Sequence, residues 1–128
     1  MLQQTVARLR PVIRPDRIWT VTNAEQATAV RKQVPLAARK RVLTEPVGRN
    51  TAAAIALAAI HVRHAASGDA LMAVLPADHY IELDKKYREI VSAALDVARH
   101  PGRMVVLGIP PTRPETGFGY VEIGRAHV

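Results

Sequence analysis

Short apolar or β-branched runs alternate with helical segments along the chain, and this alternation restricts the fold more than any other feature of the sequence. The predicted strands are residues 17–22, 41–44, 70–75 and 104–108. The predicted helices are residues 2–9, 24–33, 51–66 and 84–99. The connections between successive strands are long enough for right-handed crossover helices, which parallel strands require. We therefore predict an α/β fold in which helices flank a mostly parallel sheet.

A Pro/Gly turn followed by an alanine-rich helix forms the first candidate site, which we call the cap segment (residues 45–52). The helix is predicted to begin near Asn50 or Thr51, because their side-chain oxygens can accept hydrogen bonds from the first free N–H groups of a helix. The positive end of the helix dipole favours an anionic or electron-rich ligand, and Arg49 adds a fixed charge. A purely structural helix cap is the alternative.

The apolar run 70–75 predicts a buried parallel strand that places Asp78 and His79 just beyond its carboxyl end. In open α/β sheets, ligands bind at this edge. A carboxylate there suits Mg²⁺, which takes a few oxygen ligands from protein and shares the rest with phosphate and water. The alternatives are an Asp that caps the next helix and a His that lines a hydrogen-bonded wall.

Two glycines around an aromatic residue mark the third candidate site, which we call the glycine loop (residues 114–121). Gly117 and Gly119 flank Phe118, and Tyr120 follows. Glycine allows the backbone to approach a ligand closely, so that its N–H groups reach hydroxyl or phosphate oxygens. A glycine-containing hairpin turn is the alternative.

Taken in this order, the motifs resemble the mannose-1-phosphate guanylyltransferase family of nucleotidyltransferases. The resemblance rests on Leu-Gln-x-Thr-x-x-Arg at residues 2–8, Glu-Pro and Arg-Asn-Thr-Ala within residues 45–52, Leu-Pro-Ala-Asp-His at residues 75–79, and Gly-Ile-Pro-Pro-Thr-Arg-Pro-Glu-Thr-Gly-Phe-Gly-Tyr at residues 108–120. It implies a Rossmann-like nucleotidyltransferase fold. It also implies a full-length enzyme that converts GTP and mannose 1-phosphate to GDP-mannose and pyrophosphate, with Mg²⁺ as cofactor.

Site residues follow from the same resemblance. Asp78 is the implied metal ligand and catalytic residue. The guanine and ribose end of the nucleotide is assigned to Glu45, Pro46, Arg49, Asn50, Thr51 and Ala52. The sugar phosphate is assigned to Gly117, Gly119 and Tyr120.

The family's first strand and its Gly-Gly-x-Gly-Thr-Arg turn, which cradles the triphosphate, have no counterpart in this sequence. We therefore expect a partial nucleotidyltransferase domain over residues 1–122 that is poorly stable alone. Residues 123–128 match what a common sequencing adapter would encode when read in frame, so we expect a non-native tail there.

Two alternatives to this function stay open. In the first, the isolated chain releases no pyrophosphate, because it is a truncated, inactive fragment or a remnant that only binds guanine nucleotide. A related sugar-phosphate nucleotidyltransferase is the second alternative. Homo-oligomers are compatible with the sequence, which does not specify the oligomeric state.

The net charge of +7 raises the question of nucleic-acid binding. The basic residues do not support it, because Arg8 and several others are scattered and no basic stripe alternates with aromatic residues. Without cysteine the chain forms no disulfide, which fits a reducing cytoplasm. The alanine-rich run 51–59 is too short to span a membrane. We expect a cytoplasmic enzyme that binds neither nucleic acid nor membrane.

Overall fold

A computed structural model describes residues 1–66, 69–117 and 119–121. The helices within these ranges are α1 (Leu2–Leu9), α2 (Ala27–Gln33), α3 (Asn50–Ala66) and α4 (Asp84–Ala98). The strands are β1 (Thr20–Asn23) and β2 (Val42–Glu45). Short 3₁₀ helices, Pro15–Arg17 and Leu36–Arg41, precede the two strands. The predicted non-native tail lies outside the described residues.

β1 and β2 form a parallel two-stranded sheet, and α2 is the crossover between them. The register pairs Thr20 with Val42 at one end and Asn23 with Glu45 at the other. The β-branched residues in both strands favour this extended pairing. Because the strands are parallel, both carboxyl ends lie at the same edge, where Glu45 begins the cap segment. The predicted α/β class is confirmed, in an incomplete form.

A small aliphatic core lies beneath this βαβ unit. Val6 of α1 packs with Val42 of β2 and with three residues outside the strands, namely Ile18, Val34 and Ala38. The partly buried hydrophobic residues around them are Leu2, Ile13 and Val30. The core therefore joins α1 to the sheet through aliphatic side chains alone.

Trp19 connects the starts of both strands to α3. Its ring lies 5.5 Å from the guanidinium carbon of Arg41 and 5.7 Å, between centroids, from the ring of His61. Arg41 immediately precedes β2, and His61 belongs to α3. The indole thus fixes α3 against the unit through a cation–π contact and a tilted aromatic pair.

The strands predicted at residues 70–75 and 104–108 are wrong for this structure, because neither segment pairs with another among the residues that it describes. Their apolar side chains are exposed at Leu71, Val74, Met104 and Val106. A strand of a parallel sheet is stabilised by ladder hydrogen bonds on its edges and by cover on both faces. Neither is present for these runs within the described residues, so their composition alone does not make them strands.

The start of α2 also differs from prediction, whereas that of α3 is confirmed at Asn50. α2 begins at Ala27 rather than Ala24, because the Oδ1 atom of Asn23 accepts the backbone N–H of Gln26 at 2.9 Å. This side-chain bond closes a turn ahead of the helix. Across the described ranges, every helix falls short of the length and apolarity that a membrane crossing needs.

Candidate functional site

The segment that carries Asp78 is attached to α1 near both of its ends. We call residues 77–84 the Asp78 segment. The hydroxyl of Thr5 donates to the backbone carbonyl of Ala77 at 3.3 Å, and Arg8 Nε donates to Oδ1 of Asp84 at 2.5 Å. Arg8 also donates through Nη2 to the carbonyl oxygen of Ile81 at 3.5 Å. These contacts bridge sequence separations of 72 to 76 residues, so they fix an irregular segment against a distant helix.

Arg8 is buried to an unusual degree for a charged residue. Its side chain is 7% exposed, and its guanidinium carbon lies 5.6 Å from the centre of the Tyr87 ring. A buried guanidinium is stabilised only when its N–H groups find acceptors, and here a carboxylate and a carbonyl supply them. Burial raises the pKa of the Tyr87 hydroxyl, while the charge of Arg8 acts in the opposite direction. The buried cation thus joins α1 to the start of α4.

Asp78 lies in the exposed part of this segment, immediately after the anchored Ala77. No set of three or more His, Cys, Asp or Glu residues gathers for a metal anywhere in the described ranges. One exposed carboxylate fits Mg²⁺, which retains water and phosphate oxygens as its other ligands, and does not fit an ion that requires a closed cage of side chains. The donor chemistry at Asp78 is therefore compatible with the implied cofactor.

The cap segment opens α3 at the carboxyl edge of the sheet. Asn50 is the first residue of α3 and has a φ of 62°. Asn adopts this left-handed region more readily than other non-glycine residues, because its short polar side chain can bond locally. Arg49, Asn50 and Thr51 are all exposed. An exposed helix N-terminus beside a fixed positive charge is an arrangement that can receive a phosphate or a polar ring edge.

The glycine loop is closed by its own hydrogen bonds. The Tyr120 hydroxyl accepts the backbone N–H of Glu115 at 2.8 Å and donates to the carbonyl oxygen of the same residue at 3.0 Å. The N–H of Gly117 donates to Oε1 of Glu115 at 3.3 Å. An open pocket of about 580 Å³ is lined by residues 111–116 and by Tyr120. Gly119 has open space where a side chain would stand.

The whole chain, residues 1–128, matches the family model described as nucleotidyl transferase. The chain belongs to the nucleotidyl transferase family.

Several curated proteins are similar to this chain. It is 44% identical to the alginate biosynthesis protein AlgA of Pseudomonas fluorescens, over 95% of this chain and 25% of that protein. It is 39% identical to the mannose-1-phosphate guanylyltransferase of Escherichia coli K12, over 98% of this chain and 26% of that protein. A guanylyltransferase of the same name from Sinorhizobium fredii is 48% identical over 65% of this chain and 16% of that protein. The chain thus spans about a quarter of the length of the first two relatives. No solved structure matches it.

The three predicted sites of this nucleotidyl transferase chain are held by different contacts in the described residues. Among the described residues, no hydrogen bond or ion pair joins the cap segment, the Asp78 segment and the glycine loop to one another. The cap segment belongs to the βαβ unit, the Asp78 segment is held by α1, and the glycine loop is held by its own residues. The roles assigned to Glu45, Pro46, Ala52, Gly117, Gly119 and Tyr120 stay predictions, and Phe118 lies outside the described residues.

Thr5 and Arg8 are the residues of this region that sequence reasoning missed. Their spacing of three residues places them on one face of α1, next to the apolar Val6 and Leu9. That spacing is part of the Leu-Gln-x-Thr-x-x-Arg motif. A polar pair within a face that is otherwise buried is the signal that separates these residues from the scattered basic residues of the surface.

Proposed function

We propose that the protein to which this chain belongs is a mannose-1-phosphate guanylyltransferase, which converts GTP and mannose 1-phosphate to GDP-mannose and pyrophosphate. The observation that carries the proposal is the similarity to the E. coli enzyme of that name, which covers 98% of this chain. The ordered motifs at residues 45–52, 75–79 and 108–120 support it. The absence of cysteine fits a cytoplasmic site of action.

In the proposed reaction, a phosphate oxygen of mannose 1-phosphate attacks the α-phosphorus of GTP. The bond to the bridging oxygen breaks, and pyrophosphate leaves with its electron pair. This chemistry depends on positioning and on neutralisation of charge rather than on a covalent enzyme intermediate. We assign Asp78 to hold Mg²⁺, which supplies positive charge to the phosphate oxygens when it is bound. The hydrogen bonds from α1 restrain the backbone on either side of that carboxylate.

The cap segment is assigned to the guanine nucleotide. Guanine presents both donors and acceptors, which an Asn amide, a Thr hydroxyl and backbone N–H groups complement. Asn50 and Thr51 are exposed at the start of α3, and Arg49 adds a charge that suits phosphate. We assign Glu45, Pro46 and Ala52 to shaping this turn.

The sugar phosphate is assigned to the glycine loop. Gly117 and Gly119 leave room for close approach, and we propose that the N–H of Gly119 donates to a mannose hydroxyl. The Tyr120 hydroxyl is held by Glu115, so its contribution is to the shape of the loop and to contact through its exposed ring.

The experiment that tests this proposal uses the longest reading frame that contains the chain, cloned from genomic DNA. Pyrophosphate release is measured with GTP, mannose 1-phosphate and Mg²⁺, and then with other nucleoside triphosphates and with glucose 1-phosphate. We expect the first combination to give the highest kcat/KM. Preference for another pair of substrates would identify a related sugar-phosphate nucleotidyltransferase instead, and no turnover with any pair would overturn the proposal.

Asp78→Asn in that protein should lower kcat by about 100-fold or more, because a neutral amide does not replace a carboxylate that holds a cation against phosphate. Asp96→Asn is the matched control, since Asp96 is an exposed carboxylate of α4 that pairs with Arg99. Circular dichroism of both variants should match that of the parent protein. Full activity in Asp78→Asn would remove this residue from the metal site.

A further inference from the structure

Asp78 lies in a segment with no regular secondary structure, between the apolar run 70–75 and the start of α4. An irregular exposed segment samples many backbone conformations unless contacts outside it restrict them. Three hydrogen bonds join the Asp78 segment to other side chains within the described residues, and all three come from Thr5 and Arg8. The position of Asp78 thus depends on two residues of one helix.

The two residues hold the segment on opposite sides of Asp78. Thr5 bonds the carbonyl of Ala77, the residue just before it, and Arg8 bonds Ile81 and Asp84, which follow it. Thr5 and Arg8 are about one helical turn apart, which separates the two attachment points by roughly 4.5 Å along α1. The rigid helix therefore sets both the place and the span of the backbone that presents the carboxylate.

Arg8 suits this task through its geometry. Its planar guanidinium offers several N–H groups in fixed directions, and two of them are used for two different acceptors while the plane lies near the Tyr87 ring. Lysine would supply the charge without N–H groups in fixed directions on a planar group. An aliphatic residue would pack in the same position at lower desolvation cost, so packing alone does not account for an arginine here.

We propose that Arg8, together with Thr5, is a positioning residue that holds Asp78 where it binds the metal ion; this inference rests on the proposed function. Arg8 acts through Ile81 and Asp84 and touches neither the substrate nor the metal. Residues that orient a ligand in this way commonly change metal affinity by 10- to 100-fold when they are removed.

The first test uses the complete protein and needs no activity. Chymotrypsin at low concentration cleaves after exposed aromatic residues, and Tyr80 in the Asp78 segment is 81% exposed. Arg8→Met should speed cleavage after Tyr80 several-fold, because the segment opens more often once its anchor is lost. Cleavage after Trp19, which is packed against Arg41 and His61, reports global unfolding in the same sample.

Arg14→Met is the matched control. Arg14 bonds Asp16 through Nε and Nη2 at 3.0 and 3.1 Å, so it has a similar bidentate pair at a place remote from Asp78. We expect Arg14→Met to leave cleavage after Tyr80 unchanged. A parallel rise at Tyr80 and Trp19 in Arg8→Met would mean that Arg8 only supports the fold, and would overturn the positioning role.

The second test uses the complete protein and follows the Mg²⁺ dependence of pyrophosphate release. Arg8→Met should raise the Mg²⁺ concentration for half-maximal rate by about tenfold, with Arg8→Lys and Thr5→Val in between. Binding of Mn²⁺, measured by electron paramagnetic resonance without substrate, should weaken by the same factor. If Arg8→Met does not fold, the milder variants Arg8→Lys and Thr5→Val still test the role through their Mg²⁺ dependence.

The outcomes separate this inference from the proposed function. A parent protein without guanylyltransferase activity would overturn the function, and the metal-site role of Arg8 with it, while the proteolysis result would still report whether α1 restrains the segment. An active parent whose Arg8→Met variant keeps its Mg²⁺ dependence, its Mn²⁺ affinity and its cleavage rate after Tyr80 would overturn the positioning role alone.

Discussion

The first region (residues 1–66) and the second region (residues 69–117 and 119–121) bury their apolar side chains to very different extents. Among the described residues, all but one of the buried hydrophobic side chains lie in the first region, and Val91 of α4 is the exception. The second region exposes large apolar residues in both of its extended runs, among them Leu71, Val74, Met104 and Val106. Both regions are rich in such residues, so composition does not explain the contrast.

The difference lies in the partners that each segment finds. In the first region, β1 and β2 pair in parallel with α2 as their crossover, and α1 covers their core. In the second, α4 meets α1, and the Asp78 segment is held by polar contacts instead of a ladder. Burial therefore depends on the arrangement of neighbours, and an apolar run without neighbours stays exposed.

The largest effect is expected from a matched pair of valines, one in each region. Val42→Ala removes two methyl groups from the core and should lower the free energy of unfolding by about 2 kcal/mol. Val106→Ala should change it by less than about 0.5 kcal/mol, since this side chain is exposed. Urea unfolding followed by the fluorescence of Trp19 measures both. Equal losses in the two variants would show that the regions share one core.

A smaller effect is expected at the start of α3, and it tests whether α3 unfolds together with the sheet of the first region. Asn50 has a φ of 62°, so Asn50→Ala should cost about 1 kcal/mol while Asn50→Gly is neutral or stabilising. Because α3 packs against β1, both changes should appear in the thermal unfolding of Trp19. An alanine variant as stable as the parent would show that α3 unfolds independently of the sheet.

The smallest effect is expected from the exposed pair of Arg14 and Asp16 in the first region. The hydrogen bond from Arg14 lowers the pKa of Asp16 in the folded state. A lowered pKa adds stability above the unfolded pKa of about 3.9, and this contribution is lost as the pH falls through the folded pKa. Arg14→Met should return the Asp16 titration, followed by NMR, towards its ordinary range. An unchanged titration would show that the pair does not form in solution.

Local patterns predicted a large part of the first region. The β-branched run before Asn23, the crossover α2 and the start of α3 at Asn50 agree with the local sequence pattern. The parallel pairing follows from the length of the crossover. Two boundaries differed most: α2 begins later because a side-chain bond from Asn23 closes a turn, and β1 begins at Thr20 instead of Arg17, which belongs to a 3₁₀ helix.

The second region was predicted less well for a physical reason. The runs 70–75 and 104–108 have strand composition, but pairing is a property of two segments and cannot be read from one. The anchor from Arg8 to Asp84 joins residues 76 positions apart, and periodicity within α1 does not reveal its partner. Asp78 was singled out from its place after an apolar run, while the contacts that hold its segment became visible only in three dimensions.

A sheet of two strands also has consequences for how the molecule behaves at high concentration. In the part of the chain that the structure describes, β1 and β2 each keep one open edge, and the apolar runs 70–75 and 104–108 expose large side chains. Open edges and apolar runs are the elements from which intermolecular β-pairing is built. The net charge of +7 opposes that association by repulsion between molecules. Salt shortens this repulsion to about 10 Å at 0.1 M, so colloidal stability should fall as ionic strength rises.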